Sequence, residues 1–422
     1  MATVLFGFGS FYVLVRILDK SEFGTWSLFI TITTLFETIR NGLVQNSMVK
    51  FLTNASELDK RGIISASFTI SGILTAICVF VNLLFARYLS DIWDSPQLVD
   101  MFHMYSFVYI ITWILSQFQF IEQANFQFLG IFLSTVIRQG TLFFYVLGSF
   151  IFSYSIVLPE LVYVQMVGAF VGAIVSYLFV RSMLHFSWRL EIDWIIKLFN
   201  YGKYVFGTSV SSVIFNSINQ AMLGGMISTI ATASYNIAVR ITNLVEIPTS
   251  SVASIVFPQS AKRIQTEGNE AVKNLYEKSV AAILAILLPG LALMFIFSEV
   301  VVDFVAGERY EESVPILNIT LFSCLLIPYG RQFGTILDSI GKPKITFRNV
   351  LLSAVINIVL NYFFIKHMGV IGAAYATLLA GIVGFVISQR ILKRELNVSF
   401  LNTLIYTKNF YIEFYRKYIR PQ

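Results

Sequence analysis

SVAAILAILLPGLALMFIF, Ser279 to Phe297, runs for 19 residues without a charge. A hydrocarbon layer roughly 30 Å thick is crossed by about 20 helical residues, so a stretch of this length and polarity reads as a membrane span. Working outward from it, comparable stretches recur near residues 3–17, 24–46, 63–86, 99–121, 131–153, 158–180, 203–227, 231–257, 279–300, 313–336, 345–366 and 369–390. Twelve spans are therefore expected. Of 422 residues, 56% are hydrophobic and 13% charged, with a mean hydropathy of +0.73; soluble domains carry about 25% charged residues. In hydrocarbon the backbone must satisfy its own hydrogen bonds, and long continuous apolar runs suit helices rather than the alternating strands of a barrel.

The positive charges sort by loop. Lys50, Lys60, Arg61, then Arg181, Arg189, Lys197, Lys203, then Lys262, Arg263, Lys273, Lys278, then Lys342, Lys344, Arg348 all fall in even-numbered loops. The tail adds Arg390, Lys393, Arg394, Lys408, Arg416, Lys417 and Arg420, while odd loops hold only Lys20, Arg87, Arg309 and Lys366. Short cationic loops stay on the cytoplasmic side, so both termini are expected there, in a bacterial cytoplasmic (inner) membrane. The net charge of +6 is then topology and not a nucleic-acid footprint.

The first span opens almost at Met1 with no basic leader, and Leu-Asp-Lys-Ser rather than a small-residue cleavage site follows Arg16, so it reads as a span and not a signal peptide. Cys78 and Cys324 both sit inside spans, which implies no disulfide framework. His103, His185 and His367 are scattered, so no metal and no cofactor is expected.

Sliding the chain against itself by 209 residues aligns Gly24–Glu37 with Ala233–Glu246. Ile32/Ile241, Thr33/Thr242, Leu35/Leu244 and Glu37/Glu246 are identical there, and Thr25/Ser234, Trp26/Tyr235, Leu28/Ile237 and Ile30/Val239 are conservative. The offset equals six spans and preserves orientation. The expected fold is thus an all-α polytopic membrane protein, about twelve transmembrane helices in two pseudo-symmetric six-helix lobes, an architecture common in transporters with a site at the lobe interface. The expected divisions are an N-terminal lobe at 1–183, an interfacial connector at 184–202, a C-terminal lobe at 203–392 and a basic, aromatic cytoplasmic tail at 393–422. Phe186, Trp188, Arg189, Trp194 and Lys197 give the connector its amphipathic character.

Charged side chains near mid-bilayer cost about 2.5 to 3.5 kcal/mol each, so those kept there face a cavity or a partner. Glu37 and Arg40, three apart on the second span, either neutralise each other or share a wet face. Arg138 in the fifth span and Arg240 in the eighth have no acidic residue within a turn, which favours cavity-facing cations. Arg16 lies near a span end and reads as snorkelling. Arg331 follows a Pro328-Tyr329-Gly330 break that opens a helix toward a cavity or lets the side chain snorkel. Ser209, Ser212, Asn216 and Asn219 form one polar stripe on the seventh span with Gln220 beside it, and Asn357 and Asn361 another on the eleventh. Such stripes serve either a substrate or interhelical hydrogen bonds. Gly372, Ala376, Ala380 and Gly384 repeat every four residues, a pattern of close helix packing.

NIVLNYFFIKHMGVIGAAYAT from Asn357, with the Gly341-Lys342-Pro343-Lys344 turn before it, resembles the polysaccharide-transporter branch of the multidrug/oligosaccharidyl-lipid/polysaccharide exporter superfamily. LDKSEFGTWSL from Leu18 and FVAGERYEESVPILNI from Phe304 resemble it too, and the match runs over nearly the whole chain. The resemblance implies twelve helices in two lobes around a central cavity, and a flippase or exporter that carries undecaprenyl-diphosphate-linked oligosaccharide, such as O-antigen or capsule precursors. Rocking of the lobes, which exposes the cavity to either side by alternating access, is the expected mechanism. Where that branch often has an acidic residue on the seventh helix, this chain has Asn219 and Gln220. The first helix also lacks the aspartate typical of the drug-exporting branch, which leaves the coupling ion open.

A diphosphate oligosaccharide crosses hydrocarbon only through a hydrated, cationic passage, because unpaired hydroxyls and anions are costly there. Arg40, Arg138, Arg240 and Arg331 are the expected diphosphate ligands through charge-assisted hydrogen bonds, and Asn216, Asn219, Asn357 and Asn361 the expected sugar contacts. Glu37 and Glu246, related by the repeat, are the expected proton or sodium coupling site. A cation-coupled multidrug exporter would favour a net acidic cavity, against four arginines and two glutamates here. A membrane-embedded polysaccharide polymerase would need a large external loop, and a nucleotide-driven pump a phosphate loop that Gly341-Lys342 does not supply. The chain therefore reads as a transporter and not an enzyme.

Overall fold

In a computed structural model, which describes residues 2–53, 55–184 and 191–416, the described residues are almost entirely helical, with no strand among them. The helices are α1 (Ala2–Ile17), α2 (Lys20–Thr53), α3 (Glu57–Ile92), α4 (Gln97–Ala124), α5 (Leu129–Phe152), α6 (Leu158–Val180), α7 (Ile192–Met226) and α8 (Thr229–Thr242). They continue as α9 (Glu246–Thr266), α10 (Gly268–Ile296), α11 (Ser298–Ala306), α12 (Ser313–Cys324), α13 (Ile327–Ser339), α14 (Pro343–Met368), α15 (Val370–Leu396) and α16 (Phe400–Phe414). Among the described residues, eight helical segments are long and apolar enough to cross a membrane, and they fall on α3, α4, α5, α6, α10, α12 with α13, α14 and α15. The other four expected spans coincide with α1, α2, α7 and the α8–α9 pair, which are shorter or carry more polar residues.

The repeat read from the sequence is visible as helix order. α8 begins at Thr229, 209 residues after α2 begins at Lys20, and the long α2 corresponds to α8 and α9 joined through a 3-10 turn at Asn243–Val245. Pro248 explains the break, since it has no N–H to give the Leu244 carbonyl one turn back. α12 and α13, split at Leu325 and Leu326, likewise stand where α4 stands in the first half.

Two compact units result: residues 1–213 with 228–233, and 214–227 with 234–422. The division falls inside α7, and residues 192–202, expected as part of a separate connector, are the first turns of that helix. The rest of the expected connector, with Phe186, Trp188 and Arg189, lies outside the described residues. In the first unit Met48, Ile63, Ile64, Ile121, Val180 and Leu198 form a buried cluster. In the second, Tyr276, Val280, Phe333, Ile336, Leu337 and Leu392 form another.

Lipid offers no hydrophobic drive between spans, so their packing depends on small residues and close backbone approach. α6 lies against α5 through Gly168 and Gly172, where an added Cβ would stand 3.0 Å from the Arg138 and Ser134 carbonyl oxygens. α15 lies against α14 in the same way. Ala376 and Ala380 are fully buried, and a Cβ at Gly372 would meet the Phe364 carbonyl oxygen at 2.2 Å. A backbone oxygen cannot rotate aside, so Gly372→Val is expected to force the α14–α15 pair apart and cut the yield of folded protein in detergent, read by size-exclusion chromatography. Gly290→Val, where an added Cβ meets nothing within 4 Å, is the matched control.

The tail is helical and follows α10. Glu277 of α10, fully buried, accepts from the Ser399 N–H (2.8 Å) and the Asn402 amide (3.0 Å) at the start of α16. Further along, the Thr407 hydroxyl donates to the Ala281 carbonyl (3.5 Å) and the Tyr411 hydroxyl to the Ala285 carbonyl (2.7 Å). Both helices advance together, so α16 runs parallel to α10 and brings Tyr411 beside Ala285, within the uncharged stretch that begins at Ser279. The start of α16 is fixed by Glu277, whose two oxygens serve as the cap that Ser399's own side chain does not supply.

Candidate functional site

In the first unit, the two charges of α2 meet a stripe on α4. Tyr105, Tyr109, Thr112 and Ser116 recur at spacings of four, three and four, and so share a face of that helix. Glu37, half-buried, accepts from the Tyr105 hydroxyl (3.0 Å). Arg40 is 1% exposed. Its Nη1 donates to the Tyr109 carbonyl (2.8 Å) and to Thr112 Oγ1 (3.1 Å), its Nη2 to Ser116 Oγ (3.4 Å), and its Nε to Asn41 Oδ1 (3.2 Å). The Thr112 and Ser116 hydroxyl protons go to the Val108 and Thr112 carbonyls, at 2.8 and 2.6 Å, which leaves both oxygens free to accept from the guanidinium. Glu37 and Arg40 make no hydrogen bond or ion pair with each other, although they lie within electrostatic reach. Each is answered by α4, and the fork of Arg40 is spent on packing.

Arg138 is different. It lies nine residues into α5, about 14 Å along the helix and so near the middle of a candidate span. The side chain is half-buried and makes no hydrogen bond or ion pair among the described residues. It comes within electrostatic reach of Tyr105, the residue that holds Glu37. A cation, a carboxylate and a phenol from three helices are brought into one neighbourhood.

In the second unit Asn219 of α7 is a hub. Its amide donates to the Tyr235 hydroxyl and to Thr377 Oγ1, both at 2.7 Å, and its carbonyl accepts from Asn361 (2.6 Å) and Asn357 (3.4 Å). Asn357 also donates to the Phe215 carbonyl (2.8 Å), and Asn361 to the Asn357 side-chain carbonyl (2.9 Å). Asn357 and Asn361 are fully buried, as is nearly all of Asn219. Three of the four asparagines expected to touch sugar therefore tie α7, α8, α14 and α15 together. Asn216, one turn before the hub, is exposed and unpartnered among the described residues.

Arg240 is exposed in the last turn of α8, just before the 3-10 turn, and Glu246 is exposed at the first position of α9 just after it. Arg331 is exposed on α13, and its guanidinium has no partner among the described residues. The residues missed in the sequence are Tyr105, Tyr109, Thr112 and Ser116. Their signal was present, as hydroxyl groups at helical spacing on the fourth span opposite a span with two charges.

Residues 13–315 match a family model described as "Polysaccharide biosynthesis protein". The chain is 24% identical over 204 residues to the probable low-salt glycan biosynthesis flippase Agl15 of Haloferax volcanii, a match covering 48% of this chain and 43% of that protein. It is 22% identical to the lipopolysaccharide biosynthesis protein WzxC of Escherichia coli, over 89% of this chain and 73% of that one. Among solved structures, the lipid II flippase MurJ in an inward closed conformation matches with a TM-score of 0.78, at 15% identity, over 100% of this chain and 91% of that chain. An inward-facing multidrug resistance transporter of the MATE family and MOP superfamily matches with a TM-score of 0.77, at 15% identity, over 93% and 95%. At such identities these likenesses establish the fold alone. With nearly three quarters of its length matched by the family model, this multi-span membrane protein belongs to the polysaccharide biosynthesis protein family.

Proposed function

We propose that this protein moves a polyprenyl-diphosphate-linked oligosaccharide across the bacterial cytoplasmic membrane by alternating access, as a flippase and not an enzyme. The observation that carries this reading is Arg138, a half-buried cation near the middle of a membrane span with no protein partner among the described residues. A charge kept there at a cost of about 2.5 to 3.5 kcal/mol is one that a ligand repays, and a diphosphate suits the planar fork of a guanidinium. Arg240 and Arg331 are assigned to the same headgroup, and Asn216 to sugar hydroxyls. Arg40, Asn219, Asn357 and Asn361 hold the helices that present these groups.

Glu37 and Glu246 are assigned to coupling with protons or sodium. Glu37 accepts one hydrogen bond from Tyr105, a phenol that lies within electrostatic reach of Arg138 as well, so its charge and the substrate's would share those surroundings. The test is the purified protein in proteoliposomes containing undecaprenyl-diphosphate-linked glycan, with arrival at the opposite leaflet read by a membrane-impermeant lectin under an imposed proton or sodium gradient. Faster arrival than in protein-free vesicles is expected, and no acceleration would count against the reading. Glu37→Gln is expected to keep downhill movement and lose its response to the gradient; an unchanged response would remove Glu37 from coupling.

A further inference from the structure

A second anion site lies away from Arg138, at the corner where α15 gives way to α16. A hollow of about 400 Å³ there is walled by Val386, Arg390, Lys393, Asn397, Phe400 and Leu401, among others. That is within the size range of small-ligand pockets. Val386, Arg390, Lys393 and Asn397 succeed one another at spacings of four, three and four, so one face of α15 passes from apolar to cationic to amide. α15 is one of the membrane-spanning helices, and this passage occurs at its end, where hydrocarbon gives way to headgroups.

The corner is held rigidly. Asn397 adopts a left-handed conformation, φ +55°, and its N–H returns to the Leu392 and Lys393 carbonyls. Behind it Phe400 packs on Phe385 and Tyr329, with ring centroids 5.6 and 5.7 Å apart. Among the described residues no carboxylate lines the hollow. Glu277 and Glu395 are engaged elsewhere, Glu277 with Ser399 and Asn402, and Glu395 with Lys342. Arg390 and Lys393 make no ion pair among the described residues. Beside these two cations Val386 and Leu401 are exposed, at 39% and 65%.

We infer that this hollow binds the phosphate headgroup of an anionic phospholipid, with Arg390 and Lys393 on the phosphate and an acyl chain along Val386 and Leu401. Charge complementarity selects the headgroup and the apolar lip selects a lipid over a free anion. The site does not depend on the transport reading, and its test involves no transport.

Delipidated full-length protein in detergent would be titrated with phosphatidylglycerol and with phosphatidylcholine, and binding read by native mass spectrometry and by the shift in unfolding temperature. The wild type is expected to prefer phosphatidylglycerol at least tenfold. Each cation near a membrane surface contributes about fivefold, so Arg390→Gln and Lys393→Gln should each cost that much and the double variant should lose the preference. Arg394→Gln, on the same helix end but outside the hollow, should keep it, and millimolar inorganic phosphate should not compete. Equal binding of both lipids, a preference that survives the double variant, an equal loss in Arg394→Gln, or displacement by inorganic phosphate would each overturn the inference. The single variants alter exposed side chains, so their folding is not at risk.

Discussion

Arg138→Ala is expected to slow glycan-lipid translocation by at least tenfold while leaving the protein folded. Hydrogen bonds to a charged group contribute about 1.5 to 3 kcal/mol, which corresponds to a factor of roughly 10 to 150 in rate where the contact is made in the transition state. Nothing inside the protein is lost with the guanidinium, because it has no hydrogen bond or ion pair among the described residues. Removing a charge from mid-span also removes its insertion cost, so the unfolding temperature should hold or rise. Arg138→Lys keeps the charge but not the planar fork, and an intermediate rate is expected. Arg40→Ala is the contrast. It strips three hydrogen bonds from the α2–α4 contact and one to Asn41 within α2, and its first effect should be a lower unfolding temperature. Wild-type transport in Arg138→Ala would remove the residue from the substrate path.

Asn219→Leu should be the most damaging polar substitution in the second unit, and it should act through stability. Its side chain takes part in four hydrogen bonds to Tyr235, Thr377, Asn357 and Asn361. Interhelical bonds in membranes average about 0.6 kcal/mol each, so roughly 2 to 3 kcal/mol is at stake, before the cost of bringing an apolar side chain against two buried amides. The expected result is a large drop in folded yield and unfolding temperature in detergent. Asn216→Leu, one turn away and exposed, should leave both unchanged and reduce transport of the glycan lipid only. If Asn219→Leu folds as well as wild type and alters only the choice of glycan, the hub is a sugar site and its packing role is wrong.

These two predictions follow from what the sequence left undecided. Span length, order and repeat could be read directly, because a 20-residue apolar run has one cheap home and a 209-residue offset one cheap explanation. The stripe at Gly372, Ala376, Ala380 and Gly384 was legible for the same reason: only close backbone approach rewards small residues at that interval. Which way a polar side chain points was not. Asn216 and Asn219 look alike in a helical pattern and stand only about 60° apart around the helix, yet one is exposed while the other meets Tyr235, Thr377, Asn357 and Asn361. Arg40 and Arg138 differ likewise. For Arg40 the sequence offers Glu37 as the nearby neutralising partner, whereas its hydrogen-bond acceptors across the helix pair are a backbone carbonyl and hydroxyls on α4, 69 to 76 residues away. The course of α16 was hidden for a similar reason, since the carboxylate that caps it stands 122 residues earlier in the chain.

The fold is shared between a lipid II flippase and a multidrug transporter, with TM-scores of 0.78 and 0.77, so the sign of the substrate's charge is the point on which the reading stands or falls. The direct measurement is competition in one set of proteoliposomes, with undecaprenyl-diphosphate-linked glycan and a fluorescent lipophilic cation offered together to the same protein. A cationic site at Arg138 predicts that the diphosphate lipid crosses, that Arg138→Ala stops it, and that the lipophilic cation stays where it was added. Transport of the cation with no movement of the glycan lipid would contradict it.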